Sequence, residues 1–218
     1  MNLMGEKKVF ATYEGKVSYT DPDWIRVLSL FKQMADEKII ESGAVTMVNK
    51  TAEQTFANER ATYAFNGSWC VNVYKGMNPG LDYAPMPPPV ISEAHPMRVW
   101  GGAGSSFVVN NGSPRRDAAV KFLRWLTTEK QQSYLAQQTE NLPSAKASLQ
   151  HISPVLSQFA DDMETAIHPN IYPIHENPAV TEAFDKGIQS ILIGEKTPEQ
   201  VAQEVQKTKE KELAKSIK

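Results

Sequence analysis

FANERATYAFNGSW, Phe56 to Trp69, is the stretch on which the reading of this chain turns. It climbs through Tyr63 and Phe65, breaks at Asn66-Gly67-Ser68 and presents a tryptophan at the break. Ala61 to Asn66 has the aromatic character of a short strand, and Asn-Gly is a turn signal. Two roles are open for Trp69. It is either a core residue that starts the next helix or the lining of a ligand cleft, and the remainder of the chain bears on that choice.

Composition narrows the classes. The 218 residues are enough for one large domain or two small ones, and 41% hydrophobic with 22% charged residues is ordinary for a globular protein. A net charge of -2 provides no basic excess to neutralise phosphates, which argues against nucleic acid as a partner. Apolar runs such as Phe107-Val108-Val109 and Ile191-Leu192-Ile193 fall far short of the ~20 residues a membrane-spanning helix needs. The opening MNLMGEKKVFATYEG lacks the apolar region of a signal peptide, so the expectation is either a cytosolic protein or a chain without the start of a longer precursor. Cys70 is the single cysteine, which rules out an internal disulfide and reads as a small buried apolar residue.

Helix starts are legible. Asp21-Pro22 supplies a capping side chain and a proline at the first helical position, and Trp24, Val27, Leu28, Phe31 and Met34 follow at helical spacing to about Lys38. Thr51-Ala52-Glu53-Gln54 reads as a capping box opening a short helix. Ser113-Pro114 opens another with Ala118, Ala119, Phe122, Leu123 and Leu126 on one face, and Thr128 with Gln131 restarts helix after a bend. Asn177-Pro178 caps a helix that stops at Gly194, and Thr197-Pro198-Glu199-Gln200 opens the last one. Strands are expected at Lys7–Tyr13, Val17–Tyr19, Ala61–Asn66, Leu81–Met86 and Ser106–Asn110. Helices with a few short strands read as α/β or α+β. The proline-studded stretches Pro85–Met97 and Ile167–Pro178 read as ordered connectors.

No catalytic constellation emerges. WGGAGSSF, Trp100 to Phe107, has the glycines of a phosphate loop but no lysine or arginine, and Phe107 stands where the dinucleotide fingerprint needs its third glycine. His95, His151, His168 and His175 are dispersed, without metal-ligand spacing, and His175-Glu176 reads as a solvated loop pair. No nucleophile elbow is present. What remains is aromatic. Trp24 and Trp125 sit on apolar helix faces and are expected in the core, whereas Trp69 and Trp100 each stand beside glycine in a short polar loop. A flat indole stacks on the C–H face of a sugar ring while glycine exposes backbone groups to hydroxyls.

At this point the order of features resembles the family-1 extracellular solute-binding proteins of ABC transporters, the group that includes maltose-binding protein. FANERATYAFNGSW is similar to that family's F-x-x-G-x-A-A-M-x-x-x-G-x-W segment, although Glu59 and Ala61 depart from its glycine and alanine. A proline-rich stretch follows (YAPMPPP), then a double-glycine loop (GGAGSSFVVNNGSP), the helices of AAVKFLRWLTTEKQQSYLAQQTENLPS, a proline connector and GEKTPEQVAQEV. The resemblance runs from about Gly5 to about Leu213, and family members are substantially longer, so the chain is similar to the C-terminal portion of such a protein.

The resemblance implies an α/β, periplasmic-binding-protein-like (type II) fold, helix-rich and incomplete in its two lobes. It assigns 1–90 to part of the C-terminal lobe, 91–143 to a crossover segment packing on the N-terminal lobe, and 144–218 to a helical return. It implies a non-enzymatic binding component without cofactor or metal, a saccharide ligand, an ABC permease as partner and a periplasmic or surface-anchored location. It makes Trp69 the stacking platform, Gly101 and Gly102 the close-approach backbone, Asn66 and Ser68 the hydroxyl partners, with Trp100 and Tyr172 also lining the cleft and Arg98 available to a charged ligand. A chain without most of one lobe is expected to bind weakly and, through unpaired strand edges, to associate with a second copy. The alternative is a fragment that folds by self-association and binds nothing.

Overall fold

The computed structural model describes residues 2–101, 106–162, 166–167 and 176–216. The chain divides into two compact units, the first made of Met1–Met47, Pro88–Arg98 and Ile167–Lys218, the second of Val48–Pro87 and Val99–Ala166.

The first unit is built from helices α1 (Glu6–Tyr13) and α2 (Pro22–Asp36) near the N-terminus and two late helices, Pro178–Leu192 and Pro198–Ser216, here α8 and α9. Their starts follow the sequence. The Asp23 backbone N–H donates to Asp21 Oδ1 at 3.0 Å and the Ala179 N–H to Asn177 Oδ1 at 2.8 Å. Thr197 and Gln200 form a reciprocal capping box, with the Thr197 N–H on Gln200 Oε1 at 2.9 Å and the Gln200 N–H on Thr197 Oγ1 at 3.3 Å. Gly194 takes φ +76°, the left-handed turn that ends α8.

These helices pack on one another, α8 against α9 and both against α2. The interior is continuous: Met4, Val9, Tyr13, Tyr19, Trp24, Leu28, Val180, Phe184, Ile191, Val201, Ala202 and Val205 form one buried cluster. Trp24 is its hub, 6% exposed. Its ring centroid lies 4.9 Å from that of Tyr19 and 5.6 Å, edge-on, from that of Phe184. The indole N–H donates to Thr12 Oγ1 at 2.9 Å, so the polar edge of the ring is satisfied. Where α8 meets α9, Val201 occupies the space a β-carbon on Gly187 would take.

The second unit holds α3 (Asn49–Ala57), α4 (Cys70–Met77), α5 (Arg116–Leu126), α6 (Glu129–Thr139) and α7 (Pro154–Asp161). Helix α3 packs on α4, and α6 on the 3-10 turn Lys146–His151. Its aromatic cluster is small: buried Ala57, Cys70 and Tyr74, with Phe56, Leu81 and Tyr83 packed against them. Tyr83 stands edge-on to Tyr74 and to Phe56, at centroid distances of 5.5 and 6.0 Å.

Several expectations are corrected. Lys7–Tyr13 is helix, because Val9 and Tyr13 stand four apart and share one buried face, a helical and not a strand period. Val17–Tyr19, Ala61–Asn66, Leu81–Met86 and Ser106–Asn110 form no strand. A strand exists only with a partner to complete its ladder, and among the described residues the one ladder is the two-residue pairing of β1 (Val99–Trp100) with β2 (Ala166–Ile167). Helix α3 starts two residues before Thr51, at Asn49, with Val48 as its N-cap residue and no side-chain cap. Ser113-Pro114 shapes the turn before α5 instead of its first residue, with the Arg115 N–H on Ser113 Oγ at 3.2 Å.

Two burial expectations also reverse. Trp125, expected in a core, is 51% exposed, and α5 buries no residue fully despite its sharply amphipathic sequence. Glu176, read as solvated, is buried. Its Oε1 accepts from Lys209 Nζ and from the Asn177 N–H, both at 2.6 Å, while its Oε2 accepts from the Tyr19 hydroxyl at 2.6 Å. Lys209 Nζ also donates to the Tyr13 carbonyl at 2.6 Å. Each charge has a hydrogen bond beyond the pair itself, the condition under which two buried charges persist.

Candidate functional site

The turn before α4 positions the leading candidate. The Asn66 side chain folds onto its own turn, Oδ1 accepting the Gly67 N–H at 2.9 Å. The Gly67 carbonyl accepts the Cys70 N–H at 2.9 Å and the Ser68 carbonyl the Val71 N–H at 3.3 Å, which carries the chain directly into the helix. Trp69 takes the N-cap position with helical dihedrals, φ -61° and ψ -20°. Its backbone is therefore fixed by α4 while its side chain remains 60% exposed.

At the start of α4, Cys70 meets Glu53 of α3. Glu53 is buried, accepting from Asn49 Nδ2 at 3.0 Å and from the Cys70 thiol at 3.7 Å on the same oxygen. Burial pushes the Cys70 thiol up to about 11, and the neighbouring Glu53 charge adds to the effect. Burial likewise pushes the Tyr74 phenol up to about 12, with Cys70 adding to it. Both groups are neutral at physiological pH, so Cys70 is a packing residue and not a nucleophile. Glu53 was read as part of a capping box. The signal that distinguishes it is its spacing, four residues after Asn49 on the face that α3 turns toward α4.

The other sequence candidates fall as follows. Ser68 follows Gly67 in the same turn as Asn66, half-buried. Trp100 ends β1, 59% exposed, and Gly101 follows it, both in the second compact unit with Trp69. Gly102 and Tyr172 lie outside the described residues, as do His168 and His175. Arg98 belongs to the first unit. Among the described residues no group of three or more His, Cys, Asp or Glu side chains is placed to hold a metal ion, and no helix is long and apolar enough to cross a membrane.

The site so described is an exposed indole on a backbone fixed at a helix start, with a hydrogen-bonded Asn-Gly-Ser turn before it. The family of bacterial extracellular solute-binding proteins matches residues 5–165. The chain belongs to that family. These are non-enzymatic transport components, in keeping with the sequence expectation of no catalysis. The maltotriose-binding protein of Pyrococcus abyssi (strain GE5 / Orsay) is 28% identical over 158 residues, 71% of this chain and 30% of its own length. Solved solute-binding proteins share the fold. A chitin oligosaccharide binding protein superposes with a TM-score of 0.70 at 18% identity, covering 96% of this chain and 54% of its own. A binding protein of Bacillus subtilis subsp. subtilis strain 168, in an open conformation, gives 0.75 at 14% identity over 94% and 51%. The maltose/maltodextrin-binding domain MalE from Bdellovibrio bacteriovorus, bound to maltotriose, gives 0.68 at 24% identity over 90% and 52%. The chain thus spans about half the length of the solved relatives and less than a third of the curated one.

Proposed function

We propose that this solute-binding chain contributes to saccharide capture for an ABC importer, with Trp69 as the platform on which a sugar ring stacks. The observation that carries the reading is the indole of Trp69, exposed yet held by the first turn of α4. A rigid aromatic face costs little conformational entropy to present, which suits a flat, C–H-lined ligand surface. The names of the similar proteins, for maltotriose, chitin oligosaccharide and maltodextrin, support a carbohydrate as the class. Asn66, Ser68, Gly101 and Trp100 are assigned as neighbours in the site, with Gly102 and Tyr172 joining them on the resemblance alone. In the full-length protein, capture is by closure of two lobes, which requires the ligand to bind the closed state better than the open one. The partner is the membrane permease and the location is outside the cytoplasmic membrane, in the periplasm or as a surface lipoprotein.

Lobe membership differs from compactness within this chain. On the resemblance, 1–90 and 144–218 belong to the C-terminal lobe and 91–143 crosses to the N-terminal one. Phe107, Val108, Phe122 and Trp125, all exposed, support the second reading, in which the chain covers its apolar surface by pairing with another copy. Titration with mono- and oligosaccharides, followed by tryptophan fluorescence, separates the two. A saturable change that disappears in Trp69→Phe supports the platform. No change in a folded chain that sediments as a dimer supports the self-association reading and removes the saccharide assignment from this chain.

A further inference from the structure

We infer that Gly67 is a positioning residue whose missing side chain is the seat of the Trp69 indole. The inference rests on Trp69 being the platform proposed above, but its physical content concerns the ring alone. A β-carbon built on Gly67 would fall on the six-membered ring of Trp69, in contact with Cζ3 and Cη2 and 2.6 Å from Cε3. Real β-carbons do not approach so closely, so the indole stands where any other residue at 67 would place its side chain. The indole thus lies back over its own turn, while 60% of the residue stays open to solvent.

Glycine commonly appears in turns because the backbone needs a left-handed conformation, and Gly5, Gly15, Gly43 and Gly194 are of that kind, with φ between +76° and +85°. Gly67 is not among them. Its φ is not positive, and its N–H and carbonyl are engaged by Asn66 and Cys70 in bonds that alanine would keep. The requirement at 67 is therefore one of space. Alanine there leaves the turn intact and expels the ring. Preorganisation is the function served: a ring already seated loses no rotamer freedom when a ligand meets it.

The test uses the full chain labelled with 5-fluorotryptophan, whose four resonances are observed by fluorine NMR, with that of Trp69 assigned by its loss in Trp69→Phe. In Gly67→Ala the Trp69 resonance is expected to move and broaden while those of Trp24, Trp100 and Trp125 stay in place. An unmoved Trp69 resonance overturns the inference. A stability cycle guards against a general folding defect: Gly67→Ala is expected to destabilise the chain carrying Trp69 and to be neutral in a Trp69→Ala background. Equal destabilisation in both backgrounds overturns it as well. Maltotriose titration then separates this inference from the function it rests on. If the parent chain binds, Gly67→Ala should weaken binding about tenfold, and unchanged affinity would overturn the positioning role. If the parent chain does not bind while the resonance moves as expected, the seat stands and the saccharide reading falls.

Discussion

The two compact units solve the burial problem unequally. The first encloses a continuous interior in which Tyr19, Trp24 and Phe184 touch one another and every helix contributes. The second is richer in aromatic residues, twelve against seven, but encloses few of them: Tyr63, Phe65, Trp69, Trp100, Phe107, Phe122, Trp125 and Tyr134 are all exposed, Phe65 completely. An apolar surface of that kind marks an interaction surface, whether for a ligand, another lobe or another copy. The first unit's described aromatic side chains meet in its core, and most of the second unit's stand open to solvent.

Paired tryptophan truncations should separate the units most widely. Trp24→Ala, in the first unit, is expected to lower unfolding free energy by about 3–5 kcal/mol in urea denaturation. Trp125→Ala, on the open face of α5, should change it by less than about 0.5 kcal/mol. A large loss at Trp125 would mean that this face is covered in solution, and the contrast would then be one of assembly, not of packing.

Glycine substitutions should differ in sign. Gly187→Ala sets a methyl against Val201 where α8 meets α9, and a loss of about 1–3 kcal/mol is expected. Gly76, inside α4, has nothing within 4 Å of a built β-carbon. Gly76→Ala should therefore raise stability by about 0.5–1 kcal/mol through helix propensity. Thermal midpoints of the two variants against the parent decide this, and equal signs would sink the claim that only the first unit is tightly packed there.

Alkali gives the smallest effect and should act first on the second unit. Cys70 and Tyr74 lose their protons less readily folded than unfolded, so the unfolded chain releases them first. The contribution of Cys70 is present below about pH 9 and lost as pH rises toward about 11, and that of Tyr74 is present below about pH 10 and lost toward about 12. The parent should lose stability over that window more steeply than Cys70→Ala, read from urea midpoints at about pH 8 and about pH 10.5. Parallel slopes would show that the buried thiol does not couple to folding.

How much of this was legible in the sequence follows from the range of the interactions involved. Helix starts at Asp21-Pro22, Asn177-Pro178 and Thr197 to Gln200 were readable because a cap is satisfied within three residues. Strands were not, because Ala61–Asn66 can have strand composition and still lack a neighbour to pair with. Trp125 was misplaced for a related reason. Helix amphipathicity says which face seeks cover, not whether cover is present. Glu176 looked like a loop carboxylate because its cation, Lys209, lies 33 residues further on. In the candidate site, Trp69 stood out as a large aromatic beside glycine. The reason for that glycine was hidden, since only coordinates distinguish a need for space from a need for backbone freedom.

The Glu176–Lys209 pair has a consequence for the order in which the protein is made. Its carboxylate is translated before its ammonium, and the carbonyl that completes the ammonium's bonding, that of Tyr13, precedes Lys209 by 196 residues. The same holds for the interior around it: α1 and α2 are translated before the α8 and α9 faces that enclose them. Until α8 and α9 are made the first unit is therefore a pair of helices with an uncovered apolar side, and the whole of the second unit emerges before it can close. Its interior, the better packed of the two, therefore closes only after α8 and α9 have been made.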